Sequence, residues 1–89
     1  MKTYIFHSDP GHAWLAVKRQ ELLKLGIADQ ISGFSYQKGD TVYLEEDCDA
    51  GIFMRAKEAI GEKVEYEESY QEYTSIRGYN PYKSTAFMQ

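Results

Sequence analysis

From Gly33 to Glu45 the chain reads as two strands around Lys38-Gly39-Asp40. Phe34, Tyr36, Val42 and Leu44 alternate with polar neighbours, the two-residue period of a half-buried β-hairpin. The remaining segments must build a sheet around it. Thr3 to His7 is short, β-branched and aromatic and runs into the turn residues Asp9-Pro10-Gly11, which predicts a first strand; the apolar stretch Ala13 to Val17 either returns as its hairpin partner or feeds directly into a helix, and the strand is preferred. Arg19 to Leu25 carries Leu22, Leu23 and Leu25 among charged residues and stops at Gly26, as a short amphipathic helix with a left-handed cap would. A second helix is predicted from Asp49, as N-cap, through a stripe of Ile52, Phe53, Ala56 and Ile60 to Gly61. Lys63 to Tyr66 alternates again as a further strand, while the segment to Gln89 mixes tyrosines with Gly78, Asn80 and Pro81 as loop. The expected fold is α+β: a small, mainly antiparallel sheet of about four to five strands with two short helices packed on one face. One domain spans residues 1–89, with 73–89 partly loop or tail.

With 89 residues, 43% of them hydrophobic and 15% aromatic, the chain is too apolar for a disordered segment. A domain this small buries only roughly 60–65% of the surface its unfolded chain exposes. Its eight tyrosines, four phenylalanines and single tryptophan therefore carry much of the stability. No run of eighteen apolar residues offers a membrane span, and no internal repeat is present. The lone Cys48 closes no intramolecular disulfide and Met1 opens no apolar leader, so a cytoplasmic protein is expected.

The net charge of −4 is unevenly spread. Residues 1–44 are net +1 and the last seventeen net +2, but from Glu45 to Glu72 ten acids face only Arg55, Lys57 and Lys63, net −7. A middle this acidic repels nucleic acid and anionic membrane and attracts basic protein surfaces, which excludes direct nucleic-acid binding as the first reading. Within it, Glu45-Glu46-Asp47-Cys48-Asp49 lacks the alternating oxygens and central glycine of a calcium loop. Asp49 suits a helix cap, and the other acids suit surface charge or partner binding. Glu65, Glu67 and Glu68 interleave with Tyr66, Tyr70 and Tyr73. Carboxylates beside tyrosines make contact area suited to an Arg/Lys groove. Glu45, Glu46, Asp47, Glu65, Tyr66, Glu67, Glu68, Tyr70, Tyr73 and Arg77 are therefore the candidate partner-binding residues, with Arg77 more suited to an internal pair with Glu45 or Asp47 than to an external anion.

Two chemical alternatives rest on fewer residues. His7, Asp9 and His12 are zinc-type ligands straddling one turn, though the same residues would equally cap the turn and stack on Trp14. Asp9-Pro10-Gly11-His12 also resembles the start of a zinc-amidase motif, in a chain too short for that fold and without a convincing third histidine. Cys48 before the second helix, with His12 opening a strand, resembles permuted papain-like hydrolases, including the lecithin:retinol acyltransferase-like group; that resemblance implies a Cys48/His12 thiol hydrolase or transferase. The surrounding carboxylates disfavour a thiolate, and a free cysteine is commonly a small buried apolar residue. No cofactor is expected.

Over a longer span, Phe6-His7-Ser8-Asp9-Pro10-Gly11-His12-Ala13-Trp14-Leu15, Asp40-Thr41-Val42-Tyr43-Leu44-Glu45-Glu46-Asp47-Cys48-Asp49 and Ser75-Ile76-Arg77 resemble small uncharacterised proteins of phages and mobile elements. That resemblance implies a setting in which short acidic proteins block host defence enzymes, as anti-CRISPR inhibitors do. The function expected is that of a small non-enzymatic binding protein that docks its acidic, tyrosine-rich surface on a basic protein site, such as a host nucleic-acid-handling or defence complex.

Overall fold

Asp9 shapes the first turn. Its Oδ1 accepts the amides of Gly11 and His12, each at 3.0 Å, and its own N–H donates to His12 O at 2.9 Å, so β1 (Lys2–Ser8) returns antiparallel as β2 (Ala13–Lys18). The structure, a computed structural model, describes residues 2–84. β2 runs directly into α1 (Arg19–Lys24), and a 3-10 turn over Ala28–Gln30 follows. The expected hairpin is β3 (Tyr36–Lys38) and β4 (Thr41–Glu45), reversed at Gly39 with φ 60°, a backbone conformation costly for other residues. α2 (Ala50–Ala59) crosses over to β5 (Val64–Tyr70), and a 3-10 turn over Ser75–Gly78 precedes the two-residue β6 (Asn80–Pro81).

The fold is α+β. Among the described residues the strands form one mixed sheet of six in the order β5-β1-β2-β4-β3-β6. All pairings are antiparallel except β1 with β5, which lie parallel from Lys2 opposite Val64 to Ser8 opposite Tyr70. The sheet thus exceeds the expected four to five strands. β6 lies in the segment read as loop, and β5 extends four residues past the alternating Lys63–Tyr66 stretch because β1 pairs it along its full length. A parallel pairing needs a crossover, and α2 supplies it.

Alternation along the strands divides the sheet into two faces. Tyr4, Leu15, Val17, Val42 and Leu44 pack with Leu22 of α1 and with Ala50 and Phe53 of α2 in one core, and Phe6, Val64 and Tyr66 flank it. Full burial of Leu15, Leu22, Leu44 and Phe53 contributes about 1.5–3 kcal/mol each. Of the expected α2 stripe, Phe53 is fully buried and Ile52 and Ala56 pack partly buried against the core, whereas Ile60 is exposed; Ala50 and Lys57 complete the buried side. Lys57, only 4% exposed, reaches Glu21 Oε1 at 2.7 Å and Glu62 Oε1 at 3.2 Å, while Tyr4 OH donates to both Glu21 oxygens at 2.7 and 2.8 Å. Burial opposes the Lys57 charge, but these partners outweigh it and raise its pKa. Burial, then Glu21, pushes the Tyr4 phenol up to about 12.

Across the opposite face, Ser69, His7, Trp14 and Glu45 stand opposite one another on β5, β1, β2 and β4. Strand spacing sets the ends of this row about 14 Å apart. β1, β4 and β5 run in one direction, so their C-terminal ends, and the turns after them, share one end of the sheet. Tyr79 covers Tyr43 on this face, with ring centroids 5.3 Å apart, and Ile76 is buried beside it. Among the described residues no helix is long and apolar enough to cross a membrane.

Candidate functional site

At that shared end a cleft of about 300 Å³ opens between His12, Trp14, Phe34, Tyr36, Glu45, Asp47, Cys48 and Arg77. Trp14 on β2 is its wall and is 2% exposed. Arg77 lies over its ring at 5.3 Å, His12 packs at 5.9 Å between centroids, and Tyr36 meets it edge-on at 6.2 Å. These ring contacts hold the indole, whose N–H finds no acceptor among the described residues. Phe34 is 71% exposed at the mouth. It sits in a turn, where an extended β3 was expected, because the buried Asp49 carboxylate gathers Ser32 N–H, Ser32 Oγ and Ser35 Oγ. Asp49 thus ties the loop before β3 to the start of α2 and makes no side-chain cap bond to the helix.

Glu45 closes the other side, and it points inward. It is 7% exposed; Oε2 accepts the amides of Asp47 at 3.0 Å and Cys48 at 2.9 Å, and Oε1 lies 3.7 Å from His12 Nδ1. This corrects its assignment to an outward partner surface. The Cys48 thiol is exposed and not the buried apolar residue expected. Its pKa is raised, first by its hydrogen bond to Glu45, then by desolvation and by the charges of Glu45, Asp49 and Asp47. A nucleophilic cysteine needs a base that takes its proton. Here the Glu45 carboxylate engages the thiol on one side and faces His12 on the other, an arrangement that disfavours the thiolate.

No protein-family model, curated protein or solved structure matches this chain. The geometry of its own side chains is therefore what bears on function.

Arg77 does pair internally, but with Asp9 and not with Glu45 or Asp47. Nε lies 2.6 Å from Oδ2 and Nη2 2.9 Å from Oδ1, and Thr74 Oγ1 approaches Oδ2 at 3.4 Å. The Arg77 guanidinium and the two turn amides hold the Asp9 carboxyl far below the usual carboxylate range. With its oxygens so engaged, Asp9 is no metal ligand. His7 packs on Tyr43 at 6.0 Å, and among the described residues no three His, Cys, Asp or Glu side chains converge on a common point. The His7, Asp9, His12 metal set is thereby set aside.

The acidic block divides by exposure. Of its ten acids, Glu45 and Asp49 are buried, whereas Glu46, Asp47, Glu58, Glu62, Glu65, Glu67, Glu68 and Glu72 are exposed. Glu62 is paired with Lys57, and Glu68 accepts Ser8 Oγ at 2.9 Å. Tyr66 belongs to the core side, stacked on Tyr4 at 6.1 Å and tilted against Phe6 at 6.0 Å, which corrects its place in the surface set. Tyr70 and Tyr73 stand out at 58% and 88% exposure. Sequence reasoning missed Phe34, Tyr36 and Trp14 as cleft residues. The alternation around Phe34 and Tyr36 and the apolar run around Trp14 marked strands, but nothing local indicated that Arg77 would lie over Trp14.

Proposed function

We propose that this chain is a non-enzymatic binding protein that docks an acidic, tyrosine-bearing surface on a basic site of another macromolecule. The observation that carries the reading is the exposure of eight of the ten acids between Glu45 and Glu72, with Tyr70 and Tyr73 exposed among them. The shared direction of β1, β4 and β5 supports it further, because the Glu46-Asp47 turn and the exit of β5 then lie at the same end of the sheet. The docking set is Glu46, Asp47, Glu65, Glu67, Glu68, Tyr70 and Tyr73. Fixed carboxylates arranged by a rigid sheet speed association with an Arg/Lys-rich surface and specify its register. Resemblance to phage and mobile-element proteins makes a host nucleic-acid-handling or defence complex the first partner to test.

The thiol hydrolase reading loses its support at Glu45, which stabilises the Cys48 thiol over the thiolate. The test of the docking reading is reversal of Glu65, Glu67 and Glu68 to Lys, measured against a partner isolated from the native host. Association should weaken more than tenfold at low salt while the melting temperature falls by no more than a few degrees, since each surface substitution of this kind shifts stability by about 0.5 kcal/mol and Glu68 also gives up its hydrogen bond with Ser8 Oγ. Unchanged affinity overturns the reading.

A further inference from the structure

We infer that the free edge of β5 is a strand-addition site for an extended basic segment of the partner. This inference rests on the docking reading above and specifies its mode. β5 ends the sheet, with β1 on one side and no strand on the other among the described residues. Gln71 N–H donates to Ser8 O at 2.8 Å, just past the strand. Backbone groups of successive strand residues point to opposite sides. The amides of Glu65, Glu67 and Ser69 therefore turn toward β1, and those of Tyr66 and Glu68 turn to the open edge. An added strand would take up those groups, as in β-augmentation.

Charge decides which strand. Val64–Tyr70 carries three glutamates and no basic residue. Side chains opposite one another in a sheet share a face and interact directly, and like charges there are destabilising. A second copy of this chain would set glutamate against glutamate, and charged edges commonly act in this way to keep copies apart. A segment with Lys or Arg at positions i and i+2 meets Glu65 and Glu67 on one face. An apolar residue between them lies beside Tyr66 on the other. The edge thus rejects its own kind and accepts a basic strand with alternating apolar residues.

The test compares two synthetic peptides of equal length and charge against the full chain at low salt. One alternates lysine and valine; the other alternates Nα-methyl-lysine and proline, so that no residue within it keeps the backbone N–H that an added strand must donate. Binding is read by calorimetry and amide hydrogen exchange by NMR. The lysine–valine peptide should bind at least tenfold more tightly and, at saturation, slow exchange of the Tyr66 and Glu68 amides at least tenfold. Equal binding of both peptides with unchanged exchange at those amides overturns strand addition and leaves the acidic docking surface standing. Failure of both peptides to bind overturns both.

Discussion

Arg77 and Asp9, 68 residues apart in sequence, meet through two hydrogen bonds of 2.6 and 2.9 Å that fasten the C-terminal 3-10 turn to the first hairpin. The same guanidinium lies over Trp14, so one side chain closes the turn, covers the indole and borders the cleft. Its charge is matched by Asp9, which leaves Asp47 and Glu45 to set the sign of the cleft.

This pair gives a pH dependence of known sign. The Asp9 carboxyl is held below its ordinary range, so its stabilisation is complete above the unfolded pKa of about 3.9 and fades as pH falls from there toward the folded value. Asp9→Asn should lower the melting temperature at pH 7, and the two proteins should converge as the pH is taken below about 3. Melting followed by circular dichroism across that range checks it. An equal gap at pH 7 and in strong acid would show that the ion pair contributes nothing.

Lys57 supplies a second prediction. Replacement by Met strands the Glu21 carboxylate, which is 13% exposed at its side chain and among the described residues keeps only Lys2 at 3.4 Å as a cation. Breaking one side of a buried pair costs about 3 kcal/mol. Urea unfolding should show a loss of this size for Lys57→Met and a smaller one for Lys57→Met combined with Glu21→Leu. Additive losses would mean that the two residues do not act as a pair.

Cys48 should be a slow thiol. Alkylation by iodoacetamide at pH 7.5 is expected to run below the rate of a free cysteine, and Glu45→Gln should accelerate it. Each unit by which the thiol pKa falls raises the thiolate fraction about tenfold. Labelling in wild type as fast as in the unfolded chain would contradict the account of Glu45.

The elements whose information is local were legible. The Asp9 turn, the β1–β2 and β3–β4 hairpins and the Gly61 end of α2 each follow from a few adjacent residues. At Gly61, with φ 73°, the Gly61 and Glu62 amides bond back to Glu58 and Lys57. The acidic block was legible as composition, and most of it is exposed. Three features were not, because each depends on residues distant in sequence. Asp49 reads as a cap until Ser32 and Ser35 come within reach; Lys57 is missing from the α2 stripe until Glu21 and Tyr4 enclose it; and Tyr66 reads as surface until Tyr4 and Phe6 pack on it. Glu45 is the instructive case. Its neighbours in sequence are acids that repel a like charge, and only the turn into α2 offers the two amides that draw it inward.

The parallel seating of β5 against β1 has a temporal side. Lys2 lies opposite Val64, so the strand at the amino end waits for most of the polypeptide before its outer neighbour exists. On the ribosome, the hairpins can zip early, while the glutamate-bearing strand can dock only after α2 has emerged and swung across. A chain caught midway would present β1 itself as an unguarded border, until β5 arrives to seal it.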